Sequence, residues 1–312
     1  MKRLSCSAAF SILLPAMTRS AVGVLALLGS LQVPVAAFAQ DAAPLIMQPS
    51  TPWGLDYGED KCSVYRTFAA DAVQVTMQFD MRERGHLFPI TLASAQLDAG
   101  SNDVAMRFVP DTQSYSPTVS QSGGFADGRR GAKFSGSLLP AADIERAVDG
   151  VVEAQPANWL AERAATIEGL LVSGVFAQPV MLETGALDQV MVAVRACLDD
   201  LYEEWGYDPG KLQAIHMPAQ RIAYSKWAQW LVGELPQYLI RTGYNANVLA
   251  RLEVGIDGRV SDCTARDENR REEFETYVCE SLIKRARYVP ARDVQGNPVV
   301  GTDVIGVRYI LD

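Results

Sequence analysis

The chain has 312 residues, 48% of them hydrophobic, enough to bury one large core or two modest ones. Its 28 basic and 37 acidic residues give a net charge of −9, which argues against nucleic acid as a partner. With only His86 and His216 and no C-x-x-C, neither a Ser-His-Asp grouping nor a metal cluster can be assembled. No catalytic residue, metal ligand or cofactor is therefore expected.

Lys2, Arg3 and Arg19 are the only charges before Asp41. An apolar stretch from Ala21 to Leu31 leads to Ala37-Phe38-Ala39, a small-x-small cleavage pattern, so residues 1–39 read as a secretory signal peptide. The competing reading is an uncleaved inner-membrane anchor, because the apolar stretch from Ala21 to Phe38 approaches the length of a bilayer span. Pro34, Gln32 and the Ala-x-Ala favour cleavage. Without the three cations, 25 basic residues face 37 acidic ones, a balance of −12. Export implies the periplasm, which is oxidising, and four cysteines remain for disulfides: Cys62, Cys197, Cys263 and Cys279.

Residues 40–52 read as a lead-in and 53–206 as an N-terminal mixed α/β domain. Val73, Val75, Met77 and Phe79 alternate with polar residues, the period of a half-buried strand. LFPITLAS (87–94) and VAMRFVP (104–110) suggest further strands. The Ser- and Gly-rich residues 111–137 read as a loop or irregular hairpin, without the pattern of a phosphate-cradling loop. Leu187, Val190, Met191, Val194, Cys197, Leu198 and Leu201 then form a helical stripe over 185–205, with Thr184 placed to cap it and Gly206 to end it. Asp199, Asp200, Glu203 and Glu204 fall largely off that stripe and read as a solvated acidic surface. Cys197 lies on the stripe, and the other cysteine of this domain is Cys62, so the two are expected to pair.

Residues 207–224 hold two prolines and no sustained period, the marks of a linker. Trp227, Trp230 and Leu231 suggest a short helix whose tryptophans serve core packing more readily than ligand stacking. Val248, Ala250, Leu252, Val254 and Ile256 then alternate along a strand, Asp257-Gly258 signals a hairpin, and RVSDCT returns beside it. A two-residue loop sets Cys263 opposite Leu252, facing the core. Asn269 and Glu272 form a capping-box-like start, and Phe274, Val278, Cys279, Leu282 and Ala286 give a helix its buried stripe. Cys263 and Cys279 thus face one core, where a disulfide is worth roughly 3 kcal/mol. Ser281-Leu282-Ile283-Lys284 matches the S-x-x-K of penicillin-interacting enzymes, but no Ser-Asp-Asn or Lys-Thr-Gly accompanies it.

PQYLIRTG (236–243), VLARLEVGIDGRVSDC (248–263), ARYVPARDVQGNPVVG (286–301) and VIGVRYIL (304–311) together resemble the C-terminal domain of TonB, the energy transducer of outer-membrane import. The resemblance covers about a quarter of the chain and implies an α+β fold, in which 225–312 form a three-stranded antiparallel sheet packed by helices. It implies a non-enzymatic role, with a segment of an outer-membrane receptor or other envelope protein captured as an added strand along 304–311, around Val307 and Tyr309. Gln237 and Tyr238 match a segment that touches the receptor, with Leu239 in place of its proline. TonB transducers carry a histidine-bearing membrane helix and a Pro-rich spacer; here the apolar segment has no histidine and a globular region replaces the spacer. Two other readings stay open: an anchored energy transducer, and a structural or ligand-binding protein that uses the sheet as scaffold.

Overall fold

A computed structural model describes residues 43–83, 87–98, 103–144 and 159–311. Residues 1–39, read above as a signal peptide, and His86 lie outside the described residues. Among those described, no helix is long and apolar enough to cross a membrane.

The N-terminal region is built mainly of strands: β1 (Leu45–Pro49), β2 (Gly54–Tyr57), β3 (Cys62–Ala70), β4 (Val73–Met81), β5 (Leu87–Ser94), β6 (Ala105–Val109), β7 (Val119–Gly124), β8 (Arg130–Ser137), β9 (Gly169–Ser173) and β10 (Val180–Leu182). They form one ten-stranded sheet in the order β6-β9-β10-β1-β3-β4-β5-β8-β7, and β2 shares an edge of β3 with β1. The expected α+β architecture is therefore corrected: a curled, half-barrel sheet dominates, not a mixed α/β domain ahead of a small TonB-like one.

Two segments account for much of that difference. Residues 45–49, read as part of a lead-in, are β1, with Met47 fully buried. Within 111–137, β8 pairs with β5 along eight residues and buries Ala132 and Phe134, alternating as a strand requires. Gly136 masks the pattern: a Cβ there would strike the Ile90 side chain on the neighbouring strand. The rest of the sheet follows its period of two, with Val64, Phe68, Val75, Met77, Phe79, Ile90 and Leu92 all turned into the core.

Helices α1 (Trp159–Ala165) and α2 (Asp188–Glu204) accompany this sheet. The apolar stripe of α2 is buried as its spacing dictates, and Cys197 on it is bonded to Cys62 of β3, with Cα atoms 6.1 Å apart. Thr184 does not cap α2; its hydroxyl donates to the Gly185 carbonyl, and Leu187 stands at the N-cap without a side-chain bond. Gly206, at φ 85°, does end the helix, a left-handed conformation that glycine adopts without strain.

The chain continues through α3 (Pro209–Gln213), β11 (Gln220–Arg221), α4 (Tyr224–Gly233), α5 (Gln237–Ile240), β12 (Ala246–Val254), β13 (Val260–Asp267), α6 (Glu272–Arg285), β14 (Tyr288–Val289), β15 (Ala291–Arg292), β16 (Pro298–Val299) and β17 (Gly301–Tyr309). β12 lies between β13 and β17, both antiparallel to it. Residues 207–224 are more than a linker: Leu212 and Met217 are buried, and β11 pairs with β14. Cys263 lies opposite Leu252 and is bonded to Cys279 on α6. The capping box does not form. Instead Asp267 Oδ2 accepts from the Asn269 and Arg271 amides, and Glu275 Oε1 accepts from the Asp267 amide.

Residues 42–312 make one compact unit holding two apolar cores. They meet where Arg251 lies 4.8 Å from the ring centre of Trp205 and Thr302 Oγ1 is 3.5 Å from the Tyr202 hydroxyl. Two disulfides, one per core, fit an oxidising compartment.

Candidate functional site

β17 is a rim of the three-stranded sheet, so half of its backbone groups face away from β12. Two hydrogen bonds show which half. The Asn247 amide donates to Asp267 Oδ1, and the Glu268 amide donates to the Asn247 carbonyl, so the Asn247 backbone faces β13. Its neighbours in β12, Ala246, Val248 and Ala250, therefore face β17, where they stand opposite Tyr309, Val307 and Ile305. The outward groups of β17 belong to Thr302, Val304, Gly306 and Arg308.

The two halves of that edge differ. At Val304 both groups are occupied: its amide donates to Asp303 Oδ1 at 2.9 Å, and its carbonyl accepts from Arg221 Nη2 at 3.2 Å. Among the described residues, no hydrogen bond reaches the outward groups of Gly306 and Arg308. Both residues are exposed, and nothing lies within 4 Å of where a Gly306 Cβ would stand. An exposed strand edge of this kind is a template for another strand. On the opposite rim, β13 is held at its two ends by Glu275 on the Asp267 amide and by the Arg259–Arg287 bridge. Between them, the outward backbone groups of Ser261, Cys263 and Ala265 also meet no hydrogen bond among the described residues.

Val307 and Tyr309 flank this opening but do not line it. Their side chains are only 6% and 2% exposed, packed in the second core, and their backbone groups turn to β12. The Tyr309 hydroxyl donates to the Leu231 carbonyl at 3.0 Å, and burial raises its pKa. Gln237 and Tyr238 are exposed on α5, Tyr238 at 58%, and no hydrogen bond or ring contact among the described residues joins them to β17. Trp227 is core, whereas Trp230 is exposed beneath the Arg285 guanidinium at 5.1 Å.

The closed end of the edge rests on a charge cluster. Arg221 grips Asp303 with two bonds, Nε to Oδ2 at 2.8 Å and Nη2 to Oδ1 at 2.6 Å, the fork geometry that a guanidinium offers a carboxylate. The Tyr288 hydroxyl adds a bond to Oδ2 at 2.7 Å, and Glu83, from the turn after β4, approaches Arg221 Nη2 at 3.7 Å. Burial alone would keep Asp303 protonated, but Arg221 and these hydrogen bonds hold its pKa below the usual carboxylate range. Desolvation and the adjacent Asp303 charge push Glu83 the other way, so it keeps its proton and donates to Asp303.

Sequence reasoning overlooked this cluster, although one signal was present. Asp303 shares its face of β17 with Ile305, Val307 and Tyr309, so a carboxylate stands where an apolar residue is due. Elsewhere, the Ser281 hydroxyl is hydrogen-bonded to Tyr277, and Asp200, Glu203 and Glu204 are exposed on α2. No metal-binding group of side chains occurs among the described residues. No family model, curated protein or solved structure matches this chain.

Proposed function

We propose that the protein is a non-enzymatic, exported binding protein that accepts an extended segment of a cell-envelope partner along the outer edge of β17. The observation that carries this reading is the pair of unmet backbone positions at Gly306 and Arg308, two residues beyond a position closed by Arg221 and Asp303. Strand addition draws its affinity from main-chain bonds, and such an edge supplies them in register. Glycine inside a strand commonly marks a close approach by another backbone, which suits Gly306. The periplasm is the compartment we assign, and the partner class implied by the TonB resemblance is a periplasmic segment of an outer-membrane receptor.

The test separates backbone from side-chain recognition. The protein is immobilised and envelope receptors solubilised in detergent are passed over it, with Arg308→Ala and Arg308→Pro compared. Arg308→Ala keeps the outward amide and should retain capture. Arg308→Pro removes that donor and should lose most of it. Equal capture by both variants would exclude recognition through this edge.

A further inference from the structure

A second region has no part in strand capture. Gln48, Pro49, Arg66, Ile167, Glu168, Met181, Glu183, Thr184, Gly185 and Ala186 enclose an open cleft of about 540 Å³ beside β1 and β10. That volume lies within the usual range for small-molecule sites.

Arg66 is the unusual residue in it. On β3 it shares the parity of Cys62, Val64 and Phe68, all buried, so its side chain leaves the strand on the core-facing side. The guanidinium is held in place: Nε donates to the Thr51 carbonyl at 2.8 Å and Nη1 to the Thr184 carbonyl at 3.3 Å. Trp53 and Phe68 lie beside it, with ring centres 5.5 and 5.9 Å away. No carboxylate among the described residues lies within ion-pair distance, and burial lowers its pKa. Two carbonyls could be stapled by a neutral donor. Arg66 Nη2 donates to no group among the described residues, which leaves part of the guanidinium fork open to an anion.

The rim carries the opposite sign. Glu168 is exposed, and Glu183 is half-buried, with Oε2 accepting from Gln48 Nε2 at 2.6 Å. A simple anion would meet these two carboxylates as well as Arg66, on a protein of net negative charge. A ligand bearing both charges satisfies the floor and the rim together. Met181, Ile167 and Pro49 supply an apolar wall between them.

We propose that this cleft binds a small amino-acid-like zwitterion, its carboxylate on Arg66 and its ammonium at Glu168 and Glu183. The test is isothermal titration of the purified protein with glycine, leucine and phenylalanine. The same titration uses 4-methylpentanoate and 3-methylbutylamine, each of which lacks one charged end of leucine. At least one amino acid should bind with a Kd of about 10 mM or tighter. If leucine binds, each single-charge analogue should bind at least about ten-fold more weakly, the usual worth of a charge-assisted hydrogen bond. Arg66→Ala should abolish amino-acid binding. Glu168→Gln, an exposed change that leaves the thermal midpoint in place, should weaken it several-fold and is the informative variant should Arg66→Ala fail to fold. The proposal is overturned if none of the three amino acids binds, if an analogue matches leucine, or if neither variant weakens binding.

Discussion

At Val304 the outward amide and carbonyl of β17 are occupied by Asp303 and Arg221, whereas at Gly306, two residues on, the same two groups meet no partner among the described residues. The strand, the register against β12 and the sheet are common to both positions. The difference comes from side chains: Asp303, the preceding residue, takes the Val304 amide, and Arg221, brought from β11, takes its carbonyl and anchors Asp303. An edge is closed where a charge cluster can be anchored against the rest of the molecule, and it stays open where glycine and an exposed arginine leave the backbone bare. Folding thus closes one half of the edge and leaves the other without a partner among the described residues.

The sharpest way to break the closed half is Arg221→Ala. It leaves Asp303 buried without its cation, and losing one partner of such a pair costs about 3–5 kcal/mol. Chemical denaturation should show that loss, and a change under about 1 kcal/mol would mean that the cluster contributes little to the fold.

A pair of prolines sharpens the comparison by direction. Val307→Pro removes an amide that faces β12 and disrupts a buried position, which should cost about 3 kcal/mol or more. Arg308→Pro removes an amide that faces outward, and proline is tolerated on edge strands when its missing donor faces solvent. Its cost should stay near 1 kcal/mol, set by backbone fit alone. Equal destabilisation by the two would reverse the assigned orientation of the strand.

The smallest effect is a slope with pH. Glu83 holds its proton in the folded protein up to a pH above the unfolded value of about 4.3. Between those two values the folded state binds more protons, so stability falls as pH rises. Glu83→Gln should flatten that decline. Asp303, whose pKa is lowered, acts in the opposite sense: its contribution is lost as pH drops below about 3.9. Stability measured across this range for Glu83→Gln and the parent protein decides whether the two carboxylates share the cluster as described.

Much of the second core was legible in the sequence, because its information is local. Alternation along 248–254 and a short turn set Cys263 opposite Leu252, and the register survives a bulge between Glu253 and Val254. The helix period then brought Cys279 to the same core, and Cys197 likewise faced Cys62. The ten-stranded sheet was less legible. Its β8 is obscured by glycines that neighbouring side chains require, and β1 joins β10 and β3 across long separations that no local period encodes. The same holds for the α6 start, where Asp267 holds the turn ahead of the helix and no side chain caps it. On β17, the residues that the sequence pattern singles out are not the ones whose backbone is exposed. Val307 and Tyr309 stand out because they are apolar and alternate, which is the reason they are buried. Gly306 and Arg308, between and beside them, carry the exposed backbone. Asp303 and Arg66, charged residues on apolar faces, were the readable clues to a special environment.

Amide hydrogen exchange along 303–309, resolved residue by residue by NMR in the isolated protein, tests the open edge most directly. The amides of Asp303, Ile305, Val307 and Tyr309 should exchange slowly because they face β12, and that of Val304 should be slowed by Asp303. Gly306 and Arg308 should exchange fast, and only these two should gain protection when a receptor segment binds. Protection of Gly306 and Arg308 equal to that of Val307 in the isolated protein would contradict the account, because the edge would already be occupied.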